Sequence, residues 1–236
     1  MGPNMKLVSW GILGASKFAL EQMGPAIHMA KGTELAAVAS RDISKVSAFQ
    51  NFAPTCRAIS SYEELIKDPE IDVIYIPLPH HLHKEWAIRA MNAGKHVLAE
   101  KPIAMHQCDF EDLLETRNTT GLLISEAFMI VHHPQWQRAR QMVGDGAIGK
   151  VMHITGGFSY DNSDDPKNIR NQAEMGGGGL RDIGIYTIGS AAFVMDKELE
   201  NISAKVRLES GYDVFASIRG TIGAVSYTHL RAHETG

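Results

Sequence analysis

The sequence predicts an α/β fold over residues 1–126 and an α+β fold over residues 127–224. In the first half, short runs rich in β-branched residues alternate with helical patterns, and parallel strands need such crossover connections. In the second half, strand patterns follow one another with a single helix near 180–194, which is typical of a largely antiparallel sheet. We therefore expect a Rossmann-type domain followed by an open-sheet domain.

Each predicted element rests on hydrophobic periodicity and length. The strands expected in the first half are short and apolar: residues 7–13, 34–40, 72–78, 96–100 and 122–126. Helices are expected between them near residues 17–30, 43–53, 61–67, 81–93 and 107–118. In the second half, strands are expected at residues 148–160, 200–208 and 212–220.

Composition limits the class of protein. The chain has 236 residues, 44% hydrophobic content and a net charge of −4, with no long run of one sign. This pattern argues against a nucleic-acid partner and against an anionic membrane surface. No apolar run approaches the ~18 residues of a membrane span. Cys56 and Cys108 are isolated, which predicts a reduced, cytoplasmic environment without disulfides.

The last twelve residues, "VSYTHLRAHETG", resemble translated adapter DNA rather than a natural protein segment. They match the translation of a transposase-type sequencing adapter over Val225 to Glu234. We therefore expect residues 225–236 to be an artefact outside the fold, with the natural gene continuing past Ala224 and the second sheet incomplete. The alternative is a genuine polar tail.

The first strand leads into "GILGASKFA", residues 11–19. In the G-x-G-x-x-A pattern, small residues let the backbone approach a pyrophosphate at a helix N-terminus. Ser16 replaces the middle glycine. A strand-glycine-helix turn is also common without any ligand, but its place in a βαβ unit favours a dinucleotide site. The residues expected to contact the cofactor here are Gly14, Ser16, Lys17 and Phe18.

The second strand ends in Ser40 and Arg41 rather than in an acidic residue. A hydroxyl beside a guanidinium suits the 2′-phosphate of NADP, whereas an acidic residue would bind the ribose of NAD. We therefore predict NADP, with NAD as the second choice. Asp42 follows one position too late for the ribose and could equally cap the next helix. The alternative for Arg41 is a solvated loop charge.

The most informative stretch is "IPLPHHLHKEWAIRAMNAGKHVLAEKPIA", residues 76–104. It resembles the Gfo/Idh/MocA oxidoreductase family, whose members share a proline-rich strand end, Asn-x-x-His, Ala-Gly-Lys-His-Val and Glu-Lys-Pro. The resemblance implies cofactor contacts by Pro77, Leu78, His80, His83, Glu100 and Lys101. His80 stands where asparagine is commoner. Histidines 80, 81 and 83 lack an acidic or cysteine partner at ligand spacing, so no metal is predicted.

Lys101 has a role that the chemistry supports independently. Ligands of α/β proteins bind at the carboxyl edge of the parallel sheet, where Lys101 would lie near the nicotinamide. Its charge would polarise a substrate hydroxyl or depress the pKa of a neighbouring group. The alternative is an ordinary surface lysine before a proline turn.

A second stretch, "GGGGLRDIGIYTIG", resembles the family signature Gly-Gly-Gly-x-Leu-x-Asp-x-Gly-x-Tyr/His. Asp182 and Tyr186 are four apart, so a helix presents them on one face. We predict Tyr186 as general acid/base, Lys101 as its electrostatic partner, and Asp182 as the group orienting substrate or lysine, in the cleft between the domains. The alternative for Asp182 is a carboxylate that interacts with the helix dipole, and the alternative for Tyr186 is a core aromatic residue. The glycines are expected to pass close to nicotinamide and substrate; a P-loop is excluded because Gly-Lys-Ser/Thr is missing.

The remaining matches concern the substrate. "SEAFMIVHHPQW", residues 125–136, is similar to family members near the dihydrodiol dehydrogenases, xylose dehydrogenases and glucose-fructose oxidoreductase. "PKNIR", residues 166–170, resembles the family loop that precedes the glycines, which implies a substrate contact by Arg170. The resemblance implies an NADP-dependent oxidoreductase acting on a secondary alcohol or hemiacetal of a sugar, cyclitol or dihydrodiol. It also implies a homo-oligomer when full length. The alternatives are a non-catalytic dinucleotide-binding regulator and an inactive fragment.

Overall fold

The computed structural model describes residues 6–232, with side chains up to residue 229. The predicted first domain and the twelve-residue tail extend into residues 1–5 and 233–236, which lie outside the described residues. The chain divides into two compact units between Ala127 and Phe128.

The first unit contains a six-stranded sheet in the order β3-β2-β1-β4-β5-β6, with every neighbouring pair parallel. Its strands are β1 Val8–Leu13, β2 Thr33–Ala39, β3 Arg57–Ile59, β4 Val73–Ile76, β5 His96–Ala99 and β6 Ile124–Glu126. The order reverses between β1 and β4, and dinucleotides bind in the crevice at the carboxyl ends of such strands. The predicted Rossmann fold is confirmed, with β3 as an additional strand.

Helices cover both faces of this sheet because alternate strand residues point to opposite faces. Leu13 and Ile74 lie in one apolar cluster, whereas their neighbours Ile12 and Tyr75 lie in another. The α-helices are α1 Gly24–Met29, α2 Tyr62–Lys67, α3 His83–Asn92 and α4 Gln107–Thr120. A π-helical stretch, Ala19–Met23, leads into α1, and 3₁₀ turns span Ile43–Asn51 and His80–Leu82.

The second unit contains a four-stranded sheet in the order β7-β10-β9-β8. Its strands are β7 His153–Gly157, β8 Leu199–Glu209, β9 Tyr212–Ile222 and β10 Val225–Ala232. Two pairings are antiparallel, and the pairing of β10 with β7 is parallel. The helices are α5 Pro134–Gly144, which was not predicted, and α6 Ile185–Met195, which the π-helical stretch Leu180–Gly184 precedes. Further 3₁₀ turns span Met129–His132, Ile169–Asn171 and Ala173–Met175. The predicted largely antiparallel α+β unit is confirmed.

The strand β10 corrects one prediction. Tyr227 pairs with Gly220 of β9 and Ile154 of β7, and its side chain is buried in an apolar cluster. Val225 is buried while Ser226 is exposed, which is the period-two pattern of a half-buried strand. The prediction that residues 225–236 lie outside the fold is therefore wrong for Val225–Ala232. Their origin in adapter DNA stays a prediction.

Two coarse features of the described residues bear on the expected environment. None of the helices in residues 6–232 has both the length and the apolar character needed to cross a bilayer. Cys56 and Cys108 are both free thiols.

Candidate active site

The turn after β1 requires a glycine at position 14. Gly14 has a φ of +105°, a conformation that side chains rarely adopt, and a Cβ there would lie 2.9 Å from Leu78 Cδ2. Ser16 Oγ accepts a hydrogen bond from the Ala19 amide at 3.1 Å. The serine that replaces the middle glycine therefore caps the helix start, where amides lack intrahelical partners. The residues present fit a bound pyrophosphate.

Lys17 and Phe18 lie at the same helix start and face solvent. Lys17 forms an exposed ion pair with Glu21 at 3.8 Å, and Phe18 is 48% exposed. Neither side chain is needed for the packing of the sheet. Both are available for contact with a molecule bound above the β1 turn.

The end of β2 resolves the ambiguity at Asp42. Its carboxylate accepts the Ser44 amide at 3.2 Å and the Ser44 hydroxyl at 2.6 Å, so Asp42 caps the turn Ile43–Asn51. The Ser44 hydroxyl lowers the pKa of Asp42 because it stabilises the carboxylate. Ser40 is buried, while Arg41 is exposed. Arg41 thus presents a cation at the end of β2, while the neighbouring exposed carboxylate of Asp42 is engaged by Ser44.

His83 ties two loops at the carboxyl edge of the sheet. Its ring nitrogens lie 2.7 Å from the Leu78 carbonyl oxygen and 2.8 Å from that of Pro102, and the side chain is fully buried. Burial lowers the pKa of His83, and the two carbonyl groups oppose that shift. His83 holds the segments that carry Leu78 and Lys101, and its direct contact with a cofactor stays a prediction.

His80 lies beside His83 in the same loop region. His80 is 9% exposed, and its ring centroid lies 5.8 Å from that of His83 in an edge-on arrangement. Within residues 6–232, no group of three or more histidine, cysteine, aspartate or glutamate side chains could hold a metal ion.

Lys101 follows β5 and lies near two half-buried carboxyl groups, those of Glu100 and Glu126. Tyr75 donates to Glu100 Oε1 at 2.7 Å, and the Lys101 amide donates to Glu100 Oε2 at 3.3 Å. The Ile103 amide donates to Glu126 Oε1 at 2.8 Å. Burial raises the pKa of both Glu100 and Glu126, and the Lys101 charge opposes each shift. Tyr75 and Glu126 were missed by the sequence analysis because each lies in an apolar strand pattern.

In the second unit, Asp182 is a buried hub of polar contacts. Its Oδ2 accepts hydrogen bonds from Tyr160 Oη at 2.7 Å and from Arg170 Nε at 2.8 Å, and the residue is 4% exposed. The structure therefore brings the predicted residues Asp182 and Arg170 together. Tyr160 was not predicted, since nothing in its local sequence marks it.

Tyr186 lies on the first turn of α6 between two aromatic rings. Its ring stacks on Phe128 at 5.9 Å and lies tilted to Phe158 at 6.1 Å. Tyr186 also lines a cavity of about 890 Å³ within the second unit, whose walls include Trp136, Ile154 and Val194. The phenol is thus held at the edge of a mainly apolar cavity.

The glycine run has a reason within the protein itself, and its predicted approach to nicotinamide and substrate stays a prediction. A Cβ on Gly177 would lie 2.6 Å from the Arg170 carbonyl oxygen, and a Cβ on Gly178 would clash with the Asp213 carboxylate. The amides of Gly179 and Leu180 donate to Asp213 Oδ2 at 2.9 and 2.8 Å. These glycines are therefore required by close contacts within the protein itself.

We expect Gly178→Ala to destabilise the second unit, because alanine would meet Asp213 at a φ of +104°. Such strain costs about 1–3 kcal/mol, which chemical denaturation measures. Gly144→Ala is the matched control, since a Cβ there meets nothing within 4 Å. A free energy of unfolding for Gly178→Ala equal to that of the parent would contradict this account.

Comparison with known proteins places both units in one family. Residues 8–128 match the oxidoreductase family with an NAD-binding Rossmann fold, and residues 136–230 match the GFO/IDH/MocA C-terminal domain. An uncharacterized oxidoreductase of Rhizobium meliloti is 43% identical over 210 residues, covering 89% of this chain and 63% of the relative.

Two further relatives come from Actinomadura kijaniata. Its dTDP-3,4-didehydro-2,6-dideoxy-alpha-D-glucose 3-reductase is 36% identical over 215 residues, covering 89% of this chain and 63% of the relative. The crystal structure of the 3-ketoreductase KijD10 with NADP and TDP-benzene has a TM-score of 0.88 at 32% identity, covering 98% of this chain and 71% of that one. KijD10 has also been solved with one tyrosine changed to phenylalanine and with one lysine changed to alanine or glutamate.

The chain spans 63% of the length of the first two of these relatives. The resemblance predicted from the two motifs is confirmed by matches to both units. The chain therefore belongs to the Gfo/Idh/MocA family of oxidoreductases.

Proposed function

We propose that the chain transfers a hydride between NADP and a carbon atom of a sugar-like substrate, interconverting a secondary alcohol or hemiacetal with the corresponding carbonyl compound. One observation carries the proposal: Gly14 and Lys101 lie at the carboxyl edge of one parallel sheet, where only glycine fits the β1 turn. The similarity to a 3-ketoreductase solved with NADP supports it.

The cofactor supplies the hydride, and the chain supplies the groups that bind it. Gly14 and Ser16 would hold the pyrophosphate at the helix start, and Arg41 would bind the 2′-phosphate. Asp42 supports NADP over NAD, because its carboxylate already caps the Ile43–Asn51 turn. The Asp42 carboxylate therefore serves as a helix cap and is not needed to bind a ribose 2′-hydroxyl.

We expect Arg41→Ala to raise KM for NADPH about 10- to 100-fold, the effect of losing a charged hydrogen bond, while KM for NADH changes little. Initial rates with both cofactors measure this difference. Lys45→Ala is the control, since Lys45 is an exposed cation on the adjacent turn. An unchanged preference for NADPH in Arg41→Ala would show that Arg41 does not bind the 2′-phosphate.

Proton transfer accompanies the hydride. In reduction, Tyr186 gives its phenolic proton to the substrate oxygen as the hydride reaches the carbonyl carbon; in oxidation it takes the proton back. An ordinary tyrosine has a pKa of about 10, so a cation is needed for function near neutrality. Lys101 is that cation in this proposal. In KijD10, one tyrosine and one lysine were chosen for substitution, and the same two residue types are assigned here.

Substrate binding is assigned to the polar cluster around Asp182. Asp182 fixes the Arg170 guanidinium through Nε at 2.8 Å, and Nη1 donates to Asn168 Oδ1 at 3.5 Å. A guanidinium held in this way suits hydroxyl or anionic oxygens of a polyol, a sugar or a sugar nucleotide. The apolar cavity beside Tyr186 suits the less polar face of such a ring.

The experiment is an activity survey. The chain is mixed with NADPH and a panel of keto-sugars, or with NADP and a panel of sugars, cyclitols and dihydrodiols, and reduced nicotinamide is followed by absorbance. Turnover dependent on both cofactor and substrate is expected. Tight NADP binding without turnover on any panel member would favour the non-catalytic regulator instead.

A further inference from the structure

The helical segment that carries Asp182 and Tyr186 begins without a side chain of its own to cap it. The residue before Leu180–Gly184 is Gly179, which makes no side-chain cap. The first amides of a helix have no intrahelical acceptor and need another partner. Here the partner comes from a distant part of the chain: Asp213 Oδ2 accepts the amides of both Gly179 and Leu180 at 2.9 and 2.8 Å.

A bulge in the sheet accompanies this contact. Arg207 of β8 pairs with Phe215 of β9, but the next residue, Leu208, pairs with Asp213, so Val214 is the extra residue. Consecutive side chains of a regular strand point to opposite faces, and Val214 is buried. Bulges re-aim side chains that would otherwise follow this alternation. The irregularity lies where the Asp213 carboxylate must reach the helix start.

The position and the packing of the Asp213 carboxylate agree with capping. A carboxylate is stabilised at a helix N-terminus by the helix dipole and by the amides that point toward it. Gly178 leaves the space that the Asp213 carboxylate fills, since any Cβ there would clash with it. The amides of this glycine-rich turn are therefore bound by a carboxylate of the protein itself, that of Asp213.

We infer that Asp213 is a positioning residue for Tyr186. By fixing the amides of Gly179 and Leu180, it sets where the Leu180–Gly184 turn begins, and hence where Asp182 and Tyr186 project from the segment. The inference rests on the proposed function of Tyr186. A displacement of ~1 Å at a reacting group can cost about 100-fold in rate.

The test compares Asp213→Ala and Asp213→Asn in the full chain, with Asp145→Ala as a control that removes an exposed carboxylate of the same unit. Asparagine keeps an oxygen that can accept both amides, whereas alanine keeps none. Asp213→Ala is expected to lower kcat about 10- to 100-fold with KM for NADPH changed less than about twofold. Asp213→Asn should recover most of that loss. Hydrogen exchange at Gly179 and Leu180 should be faster in Asp213→Ala alone.

The outcomes separate the role of Asp213 from the proposed function. Unchanged kcat per folded molecule in Asp213→Ala, with only a lower Tm, would overturn the positioning role and leave Asp213 a structural cap. Unchanged exchange at the two amides would overturn the inference irrespective of activity. Absence of turnover in the parent would contradict the proposed function itself, and exchange across Leu180–Met195 would then decide whether Asp213 fixes this segment.

Discussion

Tyr186→Phe is expected to lower kcat by about 10²- to 10⁴-fold, the usual contribution of a positioned general acid or base. Phenylalanine keeps the ring that packs between Phe128 and Phe158, so the aromatic contacts remain and only the hydroxyl is lost. KM for NADPH should change little, because Gly14 and Arg41 lie in the other unit. Steady-state kinetics with a substrate identified by the activity survey measure both quantities.

Tyr212→Phe is the matched control, since it removes a phenol from β9 in the same unit. Its kcat should equal that of the parent. Equal turnover by Tyr186→Phe and the parent would show that the proton moves by another route. Equal losses in the two variants would indicate a general effect on the second unit rather than proton transfer.

Lys101→Met is expected to lower kcat at neutral pH by about 100-fold or more, because the proposed function relies on this cation to bring the pKa of Tyr186 toward neutrality. In the oxidation direction the base form of the phenol is required. Loss of the cation raises the pKa of the phenol, so the active form appears only at higher pH. The rise of kcat with pH should therefore move in the alkaline direction, toward the ordinary tyrosine pKa of about 10.

The surroundings of Lys101 add a second consequence. Its charge opposes the burial that raises the pKa of Glu100 and Glu126, so both values should rise further in Lys101→Met. Lys101→Arg keeps the charge and should retain a neutral pH profile, while Lys150→Met removes an exposed lysine and should leave kinetics unchanged. A pH profile for Lys101→Met that overlays that of the parent would exclude Lys101 as the partner of Tyr186.

Local sequence was sufficient where one pattern determines the element. The alternation of apolar runs predicted five of the six strands in the first sheet, and β3 was missed because Arg57–Ile59 has three residues and one buried side chain. Strand β10 was excluded from the fold because its sequence matches a translated adapter. Helix α5 was not predicted, because none of its residues is buried and its apolar face is therefore weakly marked.

Only those features of the site that depend on nearby residues in the sequence could be predicted. Fixed spacing placed Asp182 and Tyr186 on one helical segment and Gly14 at the β1 turn. The contacts that organise these residues join distant parts of the chain: Tyr160 is 22 residues from Asp182, and Asp213 is 33 residues from Leu180. Such partners depend on the folded sheet, and no local pattern marks them. The oligomeric state and the direct cofactor contacts of Pro77, Leu78 and His80 stay predictions.

The most direct test follows the hydride itself. The chain is incubated with a keto-sugar from the activity survey and NADPH that carries deuterium at the transferred position of the nicotinamide, and the product is analysed by mass spectrometry. We expect one deuterium on the new carbinol carbon of the product, formed in proportion to the NADPH oxidised. Oxidation of NADPH without deuterium in the sugar, or no oxidation with any member of the panel, would contradict it.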